Sequence, residues 1–146
     1  MIRFVVPGEP VAKGRGRIGR TAEGRPCVIT PPRTRNFEAL VKLAAQQAMA
    51  GREPYGCNVP LSVLIVATMT VPASWSPRKQ QAAVNQHILP TKRPDLDKFL
   101  KAAFDGCNGV IFSDDCSIVR LESRKEYGPV PGLTVQVVPL TTVEGA

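Results

Sequence analysis

Arg93 to Val119 reads RPDLDKFLKAAFDGCNGVIFSDDCSIV, and its periodicity puts the rest of the chain in order. Plotted at about 100° per residue, Leu96, Phe99, Leu100, Ala103, Phe104 and Cys107 fall on one apolar arc. Asp97, Lys98, Lys101 and Asp105 fall on a contiguous polar arc. A helix from Asp97 to Cys107 is therefore predicted to lie with its apolar side on a sheet, and Asn108-Gly109 closes it. Asp114-Asp115 then marks a turn. Ser117 to Glu126 alternates in the manner of a strand.

Outward from this segment, Leu61 to Val71 is the most apolar stretch, and its β-branched residues predict a central strand. Ser76-Pro77 has the form of an N-cap followed by the first helical residue, with a helix to about Asn85. Trp75, just ahead of it, is expected to pack in the core or at an interface, with base stacking as the alternative. Leu89 to Pro94 reads as an extended connection. Further upstream, Ile2 to Val6 reads as a strand and Val11 to Arg25 as a Gly/Arg-rich hairpin or loop. Cys27 to Thr30 is a second strand, and Arg35 to Ala50 a helix closed by Gly51. Downstream, Leu133 to Val138 is a last strand, and residues 140–146 are expected to form a loose tail. Strands and helices intermix without repeat or linker. The expected architecture is one α+β domain over residues 1–146, a small mixed sheet covered by helices.

No apolar run approaches the roughly 18–20 residues needed to cross a bilayer, and Met1 to Pro7 is too short for a signal-peptide core. A cytoplasmic protein with no membrane partner is expected. Cys27, Cys57, Cys107 and Cys116 are widely spaced and His87 is the only histidine. No zinc set is assembled, and free thiols are expected. The net charge is +7. Residues 1–52 hold ten Lys/Arg against three acids, whereas residues 53–146 hold nine of each. So focused a basic region points to a polyanion, and without an amphipathic basic helix nucleic acid fits better than a membrane surface.

Gly14-Arg15-Gly16-Arg17-Ile18-Gly19 matches the G-x-G-x-x-G string, but that motif needs a strand before it and a helix N-terminus after it. Pro7, Pro10, Gly24 and Pro26 break both sides, so no nucleotide cofactor is expected. The glycines instead leave Arg15, Arg17, Arg20 and Arg25 to meet phosphates.

The acids carry the chemistry. Pro94 biases Arg93 to an extended conformation. If Asp95-Leu96-Asp97 continues it, both aspartates face one side, and the turn after Gly109 can return Asp114-Asp115 to the same end of the helix. Carboxylates so gathered repel without a cation and suit Mg²⁺ or Mn²⁺, which in phosphodiester hydrolysis activates water. Plainer roles stay open at this point: Asp97 as an N-cap, Asp105 paired with Lys101 at i, i+4, and Asp114-Asp115 as turn formers.

Pro94-Asp95-Leu96-Asp97, Lys101-Ala102-Ala103-Phe104-Asp105, Asn108-Gly109 and Asp114-Asp115, in this order and spacing, resemble the RusA family of Holliday junction resolvases. The resemblance implies a homodimeric, Mg²⁺-dependent endonuclease, phage- or prophage-encoded, that nicks two strands of a four-way junction symmetrically. It implies Asp95, Asp97 and Asp115 as catalytic carboxylates and metal ligands, with Asp114 a further candidate ligand. It also implies Lys101 as the catalytic lysine and Asp105 as a supporting acid. Contacts to DNA are expected from Lys13, Arg15, Arg17, Arg20, Arg33, Arg35, Lys92, Arg93 and Lys98. Lys98 stands where the family often has Asn, and Cys116-Ser117 replace a more usual small residue and Gln. Two rival readings are an inactive phage DNA-binding protein and a nuclease for other branched DNA.

Overall fold

Strand β1, Ile2–Pro7, alternates buried Ile2, Phe4 and Val6 with exposed Arg3, Val5 and Pro7, so one face of it seeks a core. That core lies between a sheet and two helices in the computed structural model, which describes residues 1–141. The other elements, in chain order, are β2 (Arg17–Arg20), β3 (Pro26–Ile29), α1 (Pro32–Met49), β4 (Leu61–Thr70), α2 (Pro77–Val84), α3 (Leu96–Cys107), β5 (Ile118–Gly128) and β6 (Gly132–Pro139).

The main sheet has the order β1-β6-β4-β5. β6 is antiparallel to both β1 and β4, and β5 is parallel to β4. The register aligns rows across it. Ile2, Val137, Val63 and Leu121 form one row, Phe4, Val135, Ile65 and Ser123 the next, and Val6, Leu133, Ala67 and Lys125 a third. In β1, β6 and β4 these residues are buried. Phe37, Val41, Ala45 and Met49 of α1 and Phe99, Ala102, Ala103 and Cys107 of α3 close over them in one cluster. β2 and β3 pair only with each other, as a separate hairpin.

The elements match the sequence reading closely, with differences at the edges. α1 begins at Pro32 rather than Arg35 because Pro occupies its first positions without losing a needed N–H. α3 begins at Leu96, with Asp95 rather than Asp97 in the cap position. Asp95-Leu96-Asp97 is thus not extended throughout, because the helix has already started at its second residue. Ser76 caps α2 as expected, accepting the Lys79 N–H. Gly109 (φ 77°) allows the left-handed turn that closes α3, and its N–H donates to the Phe112 carbonyl at 2.8 Å. Trp75 packs edge-to-face on Tyr127 with ring centroids 5.4 Å apart. The expected tail begins within the described residues, where the Leu140 N–H donates to the Pro60 carbonyl; residues 142–146 lie outside them. Among the described residues no helix is long and apolar enough to cross a membrane.

The parallel β4–β5 pair positions the site. A connection between parallel neighbours must run back along them, so α3 lies antiparallel to both strands. Its N-terminus stands at their C-terminal end. Lys125 of β5 fixes this, with Nζ donating to the Lys92 and Pro94 carbonyls, both at 2.9 Å. The C-terminal end of α3 is held near the start of β4, where the Tyr55 N–H donates to the Ile111 carbonyl and the Ser113 N–H to the Tyr55 carbonyl.

Candidate functional site

Two stretches of the N-terminal third converge on the N-terminus of α3. The Lys13 N–H donates to the Lys98 carbonyl at 3.1 Å, and the Gly14 N–H to the hydroxyl of buried Thr34 at 2.9 Å. The segment before β2 is thereby tied to both α3 and α1. Ala12, Lys13, Gly14, Arg93, Pro94, Asp95 and Lys98 enclose a groove of about 340 Å³. A neighbouring groove of about 280 Å³ is lined by Arg33, Thr34 and Pro94 among others. Arg15, Arg17, Arg20, Arg33, Arg35, Lys92, Arg93 and Lys98 are all exposed. The hairpin arginines continue from the groove, and Arg33 and Arg35 stand at the start of α1.

Within this basic surround sit Asp95 and Asp97, both exposed. Asp95 makes no side-chain cap bond although it occupies the cap position, so its carboxylate is left to other partners. Asp97 lies in the first turn of α3, where the helix dipole favours negative charge. Lys101 follows one turn later on the same exposed side. Lys125, through its two carbonyl contacts, holds the backbone leading into Asp95.

Asp114 and Asp115 lie elsewhere. They stand between α3 and β5, at the start of β5, with Asp115 opening a single 3₁₀ turn. The Asp114 carboxylate accepts the Asp115 N–H at 2.8 Å. A side-chain hydrogen bond shared with Asp114 holds the Asp115 carboxyl above the usual carboxylate range, reinforced by desolvation and by the charges of Asp114 and Asp105. The same shared bond draws Asp114 downward. Asp105 belongs to the last turns of α3, so the acid pair faces the C-terminal end of that helix. Twelve residues at 1.5 Å make α3 about 18 Å long, which separates Asp95 and Asp97 from Asp115. The expectation that the turn returns all three to one end of the helix is therefore corrected: spacing sets how far a chain can reach, but the strand direction sets where it goes. Among the described residues no group of three or more His, Cys, Asp or Glu is close enough to hold a metal ion.

Lys13 and Asp105 also have partners that the spacing did not offer. Lys13 Nζ bridges Glu38 of α1, at 3.0 Å, and Asp105 of α3. Asp105 is thus paired with Lys13 and not with Lys101, and Lys13 is bound within the fold rather than free for phosphate. The hydrogen bond to Asp105 raises the Lys13 pKa above the usual lysine range, with Glu38 adding to it and burial opposing. A group whose folded pKa is raised stabilises the fold below its unfolded pKa, and that contribution fades as pH rises through the folded value. Lys13→Met should therefore cost about 1 kcal/mol near pH 8 for this partly exposed pair. In thermal melts its difference from wild type should shrink above about pH 10–11. A difference that is constant or grows with pH would disprove the bridge.

All four cysteines are free. Burial pushes the Cys107 thiol up to about 12, so it is an inert core group.

An α+β domain with exposed carboxylates in a basic groove is a form suited to nucleic-acid hydrolysis, and comparison with known proteins agrees. The family model described as Endodeoxyribonuclease RusA matches residues 7–138, and the chain belongs to the RusA endodeoxyribonuclease family. It is also similar to the uncharacterized protein YqaN of Bacillus subtilis (strain 168), 32% identical over 136 residues, which cover 93% of this chain and 94% of the relative.

Proposed function

We propose that the chain is a metal-dependent endodeoxyribonuclease that resolves four-way DNA junctions by paired symmetric nicks, acting as a homodimer. The observation that carries this is Asp95 lying in one groove with Lys13, Arg93 and Lys98, next to Asp97 and Lys101, in a chain of a nuclease family. The donors are hard carboxylate oxygens, which suit Mg²⁺ or Mn²⁺. One chain does not gather all three, since Asp115 lies at the far end of α3. Two nicks related by symmetry need two sites related by a twofold axis. On this reading, two chains meeting about such an axis complete each set, with Asp95 and Asp97 from one and Asp115 from the other. Asp95, Asp97 and Asp115 would hold the ion, whose chemistry when bound would be to activate water and offset charge on the leaving oxygen. Lys101 stabilises the charge gained by the scissile phosphate. Arg15, Arg17, Arg20, Arg33, Arg35, Lys92, Arg93 and Lys98 hold the flanking backbone.

The test is cleavage of a synthetic four-way junction in Mg²⁺ and in Mn²⁺, with flap and duplex substrates beside it. Preference for the junction supports the proposal, and preference for a flap redirects it to other branched DNA. One observation favours a second reading, a DNA-binding protein without catalysis: a single chain leaves its acids apart. Binding with no cleavage in either metal would establish that reading instead.

The basic hairpin has its own signature. Replacing Arg15, Arg17 and Arg20 together with Ala should weaken junction and duplex binding alike. Each lost phosphate contact should flatten the plot of log affinity against log salt by about 0.9. An unchanged slope would remove the hairpin from the interface.

A further inference from the structure

Alternation along β5 puts Lys125 in the row of Val6, Leu133 and Ala67, on the side of the sheet that the helices cover. A half-buried ammonium loses hydration there and needs a reason to stay. β5 is an edge strand, and a lysine turned inward can serve only to discourage pairing of that edge. A lysine with that role needs no fixed partner. Lys125 has two: its Nζ donates to the Lys92 and Pro94 carbonyls, both at 2.9 Å. Among the described residues it joins none of the ion pairs. Its donors are committed instead to two backbone oxygens that bracket Arg93 and stop one residue short of Asp95.

Asp95 and Asp97 have little else to hold them. Asp95 makes no side-chain cap bond, and neither carboxylate has an ion-pair partner among the described residues. Their positions are those of the backbone that carries them. That backbone is tied on both sides: by Lys125 ahead of Asp95, and by the Lys13 N–H at the Lys98 carbonyl behind Asp97. Ligands of a metal must stand within about 0.5 Å of their productive places, and outer partners keep them there. We propose that Lys125 is a positioning residue, whose ammonium clamps the Lys92–Pro94 bend so that Asp95 and Asp97 are set for a divalent cation before it arrives. The role rests on the nuclease reading and adds to it a residue that need touch neither metal nor DNA.

Lys125→Met keeps the stem and removes the donors. Without metal or DNA, trypsin should cut this variant between Lys92 and Arg93 about 10-fold faster than wild type. The carbonyl of that bond is one that Lys125 holds. Cuts in the β2–β3 hairpin should keep their rate. In cleavage of a four-way junction, the Mg²⁺ concentration at half-maximal rate should rise about 10-fold. The rate at saturating Mg²⁺ and the junction KM should change little. A folding defect would instead lower the saturated rate at an unchanged Mg²⁺ midpoint, and a lost phosphate contact would raise the junction KM. Lys125→Arg keeps the charge and two donors and should recover most of the midpoint. Lys125→Gln, one bond shorter, gives the same readout should Lys125→Met fold poorly. Lys42→Met removes an equal charge from the exposed side of α1 and should match wild type throughout. An active Lys125→Met chain with unchanged trypsin cutting at Lys92, or with an unchanged Mg²⁺ midpoint, overturns the positioning role alone. A wild type that cleaves in neither Mg²⁺ nor Mn²⁺ removes the nuclease reading, and this role with it.

Discussion

Asp97→Asn should lower cleavage of a four-way junction about 1,000-fold, the effect of several kcal/mol lost from metal-assisted transition-state stabilisation. Asn keeps the size and first-turn position of the side chain but removes the charge that attracts a hard cation. Asp97 is exposed and part of no described hydrogen bond, so folding should be unaffected and junction affinity should change little. Asp95→Asn and Asp115→Asn should behave alike. An Asp97→Asn protein that cleaves as well as wild type would refute the assignment.

Because Asp97 and Asp115 sit at opposite ends of α3, these variants predict more than loss. If the chain pairs as proposed, Asp97→Asn and Asp115→Asn chains that are mixed and allowed to exchange subunits should form heterodimers. If each site takes Asp95 and Asp97 from one chain and Asp115 from the other, one site then carries both defects and the other none. The mixture should nick junctions at up to about half the wild-type rate per heterodimer and should not resolve them by paired cuts. If each site lay within one chain, both sites of the heterodimer would be defective and the mixture would stay inactive.

How much of this was legible depends on the range of the interaction. The period of Leu96, Phe99, Ala103 and Cys107 gave α3, and the Ser76-Pro77 pair gave the start of α2, because both are local. The β-branched run from Val63 to Val71 gave β4, whose interior place in the sheet follows from burial on both sides. Strand direction left no local mark. Nothing in Leu61 to Thr70 or Ile118 to Gly128 states that they run parallel, and that one fact sends Asp115 to the far end of α3. The Lys13–Asp105 pair was hidden for the same reason: 92 residues separate its members, whereas Lys101 stood at a spacing where a partner is ordinarily sought. The family was legible because five polar positions in fixed order need no tertiary knowledge to be recognised. Their separation in the fold was not, because it follows from strand direction.

The second large effect lies where α1 crosses α3. Gly106→Ala would put a Cβ 2.5 Å from Val41 Cγ1, 2.6 Å from Val41 Cβ and 3.1 Å from the Glu38 carbonyl. Two of these contacts are closer than atoms can stand, and both Gly106 and Val41 are buried. In an exposed helix the same change would stabilise by about 1 kcal/mol through backbone entropy. Here overpacking costs about 1–3 kcal/mol, and the wider separation of the helices strains the Lys13 bridge between Glu38 and Asp105 as well. Steric cost should win, so urea midpoints should fall for Gly106→Ala and fall much further, to an unfolded chain, for Gly106→Leu. Gly56→Ala, where nothing lies within 4 Å, should be close to neutral. Val41→Ala opens the space that the new methyl needs, at a cavity cost of its own. In the double variant the two penalties should therefore sum to less than the separate values, a coupling of about 1 kcal/mol between touching residues. If Gly106→Ala proved as stable as wild type, α1 and α3 would not approach as described, and the groove that Lys13 and Gly14 form between them would lose its foundation.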